Sequence, residues 1–510
     1  VKTMFTAPDP GRLRLRTASR AVLGVGLAVT VAAAAGLGTS AAITAGLAAL
    51  LALFTVTDPS VAAQARTTAL LPLVGLPVLG TAAVLHDAPF ARDAAFLAIV
   101  FAGVYARRYG PRGNALGIFA FMTFFVAQFL EPLPRDLPAL TAALLLALAA
   151  AAAVRFAAWP IERRDPPPPV PPQGGERGLR RPTTRQAVQA TVACGIALLA
   201  GQALSDARWY WAVGAAWWIF VNTASRGETL VRGFRRVLGT VLGILAGLPI
   251  ALPADGALVP TALLVAVCVF GIFYTAPVSY SWMMFFVTVM VGLLYGLLGV
   301  LDPGLLALRV GETLVGALGA VVAVALVLPV TTHAATNAWI QRALVCLHRC
   351  TEESARRIAG DASADPAARV AELELLLGRA RLALAPLLHP LHPHRARKVR
   401  ARRVLELLDT CAARAHALAG VAADPDASQD ERLTAACRRV EEAVERLLRQ
   451  QDPDVRRRGR TPQTVPVRVP AAAQRPAADG ALAHLYGLES ALAGLVVPLH
   501  SEPRSPLQLT

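Results

Sequence analysis

Charge is what this chain has least of. Only 16% of its 510 residues are Asp, Glu, Lys or Arg, against 55% hydrophobic side chains and a mean hydropathy of +0.50. A chain so poor in polar surface cannot wrap itself in a water-facing shell, which excludes an ordinary soluble globular protein. Lysine is confined to Lys2 and Lys398, so nearly all of the formal net charge of +16 is arginine. Those arginines lie between apolar segments and in the C-terminal part rather than on one soluble face, which argues against nucleic acid as a partner. Cysteine is sparse as well. Cys194, Cys268, Cys346, Cys350, Cys411 and Cys437 follow no zinc or redox spacing, so reduced thiols are expected. There is no phosphate-cradling Gly-x-x-x-x-Gly-Lys, no nucleophile elbow and no His-Glu-x-x-His. The first absence speaks against built-in ATP hydrolysis, and together they lead us to expect no enzymatic activity, no metal and no cofactor.

What is present is long apolar runs. Segments of roughly membrane-spanning length fall near 19–37, 40–56, 67–85, 91–108, 113–131 and 137–158, and again near 184–204, 208–223, 229–252, 257–275, 279–300 and 305–328. They predict an all-α polytopic membrane protein with about twelve spans. The two sets share a plan. At an offset of 166, Ala21-Val22 falls on Ala187-Val188, Phe54 on Phe220, Thr57 on Thr223 and Arg66 on Arg232; near 169, Phe101-Ala-Gly-Val-Tyr105 falls on Phe270-Gly-Ile-Phe-Tyr274. An even number of spans in each half makes the two six-helix repeats parallel, related by an axis along the membrane normal. The organisation read from the sequence is therefore a first repeat at 1–160, a Pro-rich cytoplasmic linker at 161–182, a second repeat at 183–330 and a cytosolic helical domain at 331–510.

Orientation follows from the loops. With the N-terminus inside, Arg12, Arg14, Arg16, Arg20, Arg66, Arg107, Arg108, Arg112, Arg226, Arg232, Arg235 and Arg236 are cytoplasmic, while the opposite loops hold only Arg92, Arg135 and Arg208. Both termini are then cytoplasmic. The first apolar run passes straight into a second, so no cleaved signal peptide is expected. In the C-terminal part, helical periodicity appears near 334–359, 366–388, 394–420, 427–451 and 479–497, with an Arg- and Pro-rich connection at 452–478. His389-Pro-Leu-His-Pro-His394 lacks the helical presentation that would aim imidazoles at one metal. The Arg395–Arg403 run suits lipid headgroups or a solvated helix face.

The richest segment is 209–247, an aromatic span Trp209-Tyr-Trp through Trp217-Trp218, a Ser225-Arg-Gly-Glu-Thr turn, then Arg232-x-x-Arg235-Arg236-Val-Leu-Gly-Thr with Gly239, Gly243 and Gly247 at four-residue steps. Small residues at that spacing let helices approach closely, either closing one bundle or pairing two chains. This pattern resembles the fusaric acid resistance and aromatic acid exporter group of bacterial membrane proteins, and more distantly the plant aluminium-activated malate transporters. The resemblance implies passage of organic anions such as aromatic carboxylates, outward and driven by an ion gradient, or passively through a channel. A non-transporting membrane scaffold whose tail binds a partner is the rival of another class.

Guanidinium binds carboxylate through two parallel donors and stays charged, so Arg232, Arg235, Arg236 and Arg66 are the candidates for attracting the anion. Each also reads as a topology anchor. Trp217 and Trp218 are candidates for stacking on an aromatic substrate, set against simple helix packing, whereas Trp209, Tyr210 and Trp211 read as an interfacial belt. For coupling or gating, Asp58 and Glu228 lie in equivalent turns, where N-capping or pairing with a nearby Arg is the plainer role. Arg309 and Glu312, three apart near the start of the last span, are a further candidate pair for coupling or gating, set against a local ion pair carried into the bilayer edge as the plainer role. Membrane lipid and a small organic anion are the expected partners, with a second copy or an accessory protein on the cytosolic domain.

Overall fold

The computed structural model describes residues 12–157, 178, 181–221, 223, 226–254, 257–328, 332–358, 360–361, 363–388, 395–422, 431–451 and 476–500. Most of the Pro-rich linker, the His389–His394 run and the 452–475 connection lie outside the described residues, as do Asn222, Ala224 and Ser225 of the turn. The described residues are helical and fall into two compact units, 1–329 and 330–510.

Unit one holds α1 (Leu13–Ala34), α2 (Thr39–Thr55), α3 (Val61–Val84), α4 (Pro89–Tyr105), α5 (Gly110–Leu130) and α6 (Leu137–Ala157). It continues with α7 (Pro182–Leu204), α8 (Tyr210–Phe220), α9 (Arg226–Ala254), α10 (Leu258–Thr275), α11 (Tyr280–Leu297) and α12 (Pro303–Leu326). Local chemistry starts several of these helices. The Ser60 hydroxyl accepts from the Ala63 amide at 3.2 Å at the head of α3, and the Asp302 carboxylate accepts from the Leu305 amide at 3.3 Å at the head of α12.

Twelve helices do not make twelve full-length spans. Among the described residues, nine helical stretches are long and apolar enough to cross a membrane, which makes this a multi-pass membrane protein. One of them, Pro89–Leu130, is a 42-residue run that contains both α4 and α5. Gly110, at φ 78°, interrupts it and the two helices pack on each other. Two more helices fall short. With 17 and 11 residues, α2 and α8 reach only about 25 and 16 Å, against a hydrocarbon thickness of about 30 Å.

Much of the helix packing among α1–α6 recurs among α7–α12, although among the described residues the α2–α5 contact has no comparable α8–α11 counterpart. In the first, α1 packs on α2 and α6, α2 on α5 and α6, α3 on α5 and α6, and α4 on α5. In the second, α7 packs on α8 and α12, α8 on α12, α9 on α11 and α12, and α10 on α11. Between the halves, α4 meets α7 and α10 meets α1. The core that joins them is rich in Ala and Phe, with Phe96, Phe119, Phe121, Phe124 and Trp217 fully buried.

Unit two contains α13 (Thr332–Ile358), α14 (Pro366–Leu388), α15 (Arg395–Ala422), α16 (Glu431–Gln451) and α17 (Pro476–His500). Here α13 packs on α14, α15 and α16, α14 on α15, and α17 on α15 and α16, around a Leu- and Ala-rich core. All six cysteines of the chain are free and buried. Burial pushes the Cys411 and Cys437 thiols up to about 12.

Candidate functional site

A helix that stops inside the bilayer leaves its last carbonyls without partners, and they gather negative potential. Both short helices of unit one meet this problem with a buried arginine. At the end of α2, Arg155 of α6 donates from Nη1 to Val56 O at 2.9 Å and from Nη2 to Ala52 O and Leu53 O at 3.1 and 3.2 Å. At the end of α8, Arg107, from the 3-10 turn that follows α4, donates from Nη1 to Phe220 O at 2.8 Å. Gln186 of α7 donates to the Thr223 carbonyl just beyond.

The end of α8 also carries two arginines from α9. Arg236, 6% exposed, donates from Nη1 to the Tyr280 hydroxyl at 3.2 Å and to Met284 Sδ at 3.1 Å. Half-buried Arg232 lies over the Tyr280 ring at 4.2 Å, a cation–π contact that desolvation strengthens. The Tyr280 hydroxyl in turn faces Trp218 O at 3.5 Å. Arg107 is 9% exposed and close enough to Arg232 to feel its charge. Nε and Nη2 of Arg107, and Nε of Arg232 and Arg236, have no hydrogen-bond partner. Among the described residues, none of the three guanidinium groups is paired with a carboxylate.

The glycine ladder explains how the sequence builds this cluster. Gly239, Gly243 and Gly247 face α11. A Cβ on Gly239 would lie 2.8 Å from Met284 Cβ, and one on Gly243 would lie 2.7 Å from Thr288 Cβ. The bare backbone lets α11 come close enough for Tyr280 and Met284 to reach Arg236, one turn before the ladder. The ladder thus packs inside the bundle.

Other candidates fall elsewhere. Arg66 and Arg235 are exposed on α3 and α9, outside the cluster. Trp217 is fully buried and stacks on Phe121, with ring centroids 3.9 Å apart. Half-buried Trp218 meets Phe54 edge-on at 6.2 Å, and Phe54 meets Phe273 at 5.5 Å. Asp58 is 4% exposed and its Oδ2 has no hydrogen-bond partner, while Ser60 takes the N-cap of α3 that Asp58 was expected to fill. Glu228 is half-buried in the first turn of α9.

Two readings from the sequence are corrected at the other end of α8. Trp209, Tyr210 and Trp211 are no interfacial belt. Trp209 and Tyr210 are 3% and 1% exposed, and the three rings pack on Phe96 and Phe125, because a helix this short begins well inside the bundle. Nor do Arg309 and Glu312 form an ion pair at a bilayer edge. They are 5% and 0% exposed; Arg309 lies 3.6 Å over the Trp211 ring, and both Glu312 oxygens lack hydrogen-bond partners. Arg107 was not among the sequence candidates. Its position beside Arg108 in a basic loop gives no sign that packing against α8 would select one and leave the other on Tyr105 and Tyr109.

Residues 196–323, from inside α7 to inside α12, match the model of a family described as fusaric acid resistance protein-like. No curated protein and no solved structure matches the chain.

Proposed function

We propose that this multi-pass membrane protein moves amphipathic organic anions, aromatic carboxylates among them, and that Arg107, Arg232 and Arg236 hold the anion in transit. One observation carries the reading: three guanidinium groups converge in a largely buried place with no carboxylate among the described residues to neutralise them and with donors to spare. Unneutralised buried charge is costly, and a visiting carboxylate would offset that cost through paired charge-assisted bonds. Tyr280, Trp218 and Phe54 beside the cluster offer faces for an apolar or aromatic body. Loss of a toxic organic acid's anion from the cell is also what resistance to that acid requires, so the family description favours the outward direction. An ion gradient supplies the drive in this reading.

The proposal includes the frame. Two parallel six-helix repeats account for the packing that α1–α6 and α7–α12 share, and for the exchange in which α4 meets α7 as α10 meets α1. The excess of Arg at one set of loops supports cytoplasmic termini, and the resemblance to bacterial inner-membrane proteins supports an inner-membrane location.

Proteoliposome flux tests it. A panel of aromatic and aliphatic carboxylates is loaded with and without an imposed proton gradient, beside an Arg107/Arg232/Arg236→Gln triple variant of verified fold. Flux that needs the arginines and runs uphill supports a coupled transporter; arginine-dependent flux that only runs downhill supports a channel. Flux undiminished in the triple variant would remove the site.

A further inference from the structure

The polar group least explained by anion attraction is Glu312. Its side chain is fully buried on α12 and neither oxygen has a hydrogen-bond partner among the described residues. Arg309, one turn earlier, gives its guanidinium face to Trp211 at 3.6 Å and leaves Nε and Nη1 unpartnered. Trp211 is itself fixed by donation from Nε1 to the Tyr295 hydroxyl at 2.9 Å.

α12 packs on α7, α8 and α9. Arg208 and Tyr210, joined at 3.1 Å, face Glu312 from the start of α8. Tyr295 comes from α11, and Arg236 of α9 acts on Arg309. Glu131, at the end of α5, acts on Arg208. α7 carries only Arg185 and Cys194 as titratable side chains. The surroundings are therefore cationic and phenolic, with the arginines engaged on rings and hydroxyls.

An ionised carboxylate shut away from water and from donors is so unfavourable that a group in such a place holds a proton instead. A neutral Glu312 leaves Arg309 uncompensated, and an organic anion arriving beside it restores neutrality. Once Glu312 ionises, the two side chains, one turn apart on the same face, compensate each other, and the anion gains nothing there. We infer that Glu312 is a proton-binding site linked to anion passage, in which the neutral carboxyl frees the Arg309 charge for an organic carboxylate. Proton and anion are then bound together at this site, so an inward proton gradient would not itself drive the outward movement, and the drive for export would come from another ion or from the anion's own gradient. The inference deepens the anion reading above and depends on it for the linkage, though not for the proton on Glu312.

Infrared difference spectroscopy on the purified full chain, with benzoate as probe, tests both parts. The wild type should show a protonated-carboxyl band at neutral pH that Glu312→Gln lacks, and benzoate should extend that band to higher pH, since linkage is reciprocal. Benzoate affinity in the wild type should fall by about tenfold per pH unit above the carboxyl's titration, the slope of one linked proton. In Glu312→Gln it should be independent of pH. Arg309→Gln should keep the band and lose the pH dependence of binding, which gives a second route if Glu312→Gln fails to fold. A band untouched by Glu312→Gln, or unchanged pH dependence in either variant, overturns the inference. A Glu312 band with no carboxylate bound at any pH sinks the anion reading and the linkage together, whereas benzoate binding without the band sinks the inference alone.

Discussion

Replacing Arg236 by Gln should separate function from stability, because the two respond with opposite signs. Arg236 donates to Tyr280 and Met284 and stands with Arg107 and Arg232 in a place with no compensating carboxylate among the described residues. A hydrogen bond to a charged group contributes about 1.5–3 kcal/mol. At about 1.4 kcal/mol per factor of ten, losing that bond to a carboxylate should weaken its binding about 10- to 150-fold. The fold, by contrast, loses a buried charge that had no ionic partner and is relieved of repulsion within the cluster. Replacing an uncompensated buried charge by a neutral side chain should therefore let the melting temperature hold or rise. The assay is thermal unfolding of the purified chain titrated with benzoate, which reports stability without ligand and affinity from the ligand-dependent shift. Unchanged affinity with a lowered melting temperature would refute the reasoning and make Arg236 a packing residue.

Gly243→Val should push α9 from α11, because even the first added carbon would lie 2.7 Å from Thr288 Cβ; overpacking of this kind costs about 1–3 kcal/mol, read as a lower melting temperature with weaker benzoate binding. Arg155→Met unties three carbonyls at the end of α2 and should destabilise by about 2–4 kcal/mol, measured by thermal or denaturant unfolding, while benzoate affinity of the folded fraction stays as in the wild type. In unit two, bonds from Ser363 and then from Arg356 hold the Asp361 carboxyl down at about 2, below its ordinary 3.8. A depressed acid stabilises the fold above its unfolded value and loses that contribution as pH falls through the folded one. Melting of unit two should therefore drop between about pH 4 and pH 2, and Asp361→Asn should flatten that part of the profile.

Periodicity was enough to find most of the helices. In unit two the expected 366–388 coincides with α14, and the other four helices differ from the reading by a few residues, since Pro366 and the amphipathic Leu and Ala rows act locally. In unit one, hydropathy located every helix but counted the short α2 and α8 as full spans and drew α8 too long, because an apolar run does not say where a chain stops being helical inside a bundle. That error propagated to Trp209, Tyr210 and Trp211, which a full-length span would have placed at an interface. Arg232 and Arg236 were legible from motif and charge. Arg107 was not, being separated from them by more than a hundred residues and distinguished from Arg108 only by which side chain turns toward Phe220 O.

The two short helices are finished in different ways, and the difference decides where cationic capacity is left over. At α2 the capping arginine, Arg155, comes from the same half and spends both terminal nitrogens on three carbonyls. Its charge is absorbed by the helix end it closes. At α8 the capping arginine, Arg107, comes from the other half and makes one such bond, keeping Nη2 and Nε without partners, and α9 adds Arg232 and Arg236 where α3 offers only exposed Arg66. One end is therefore electrostatically closed and the other has cationic capacity left over. An anion that samples both should stop only at the second, so substitutions at Arg155 and Arg236 belong to different classes of phenotype although each arginine sits at the end of a short helix.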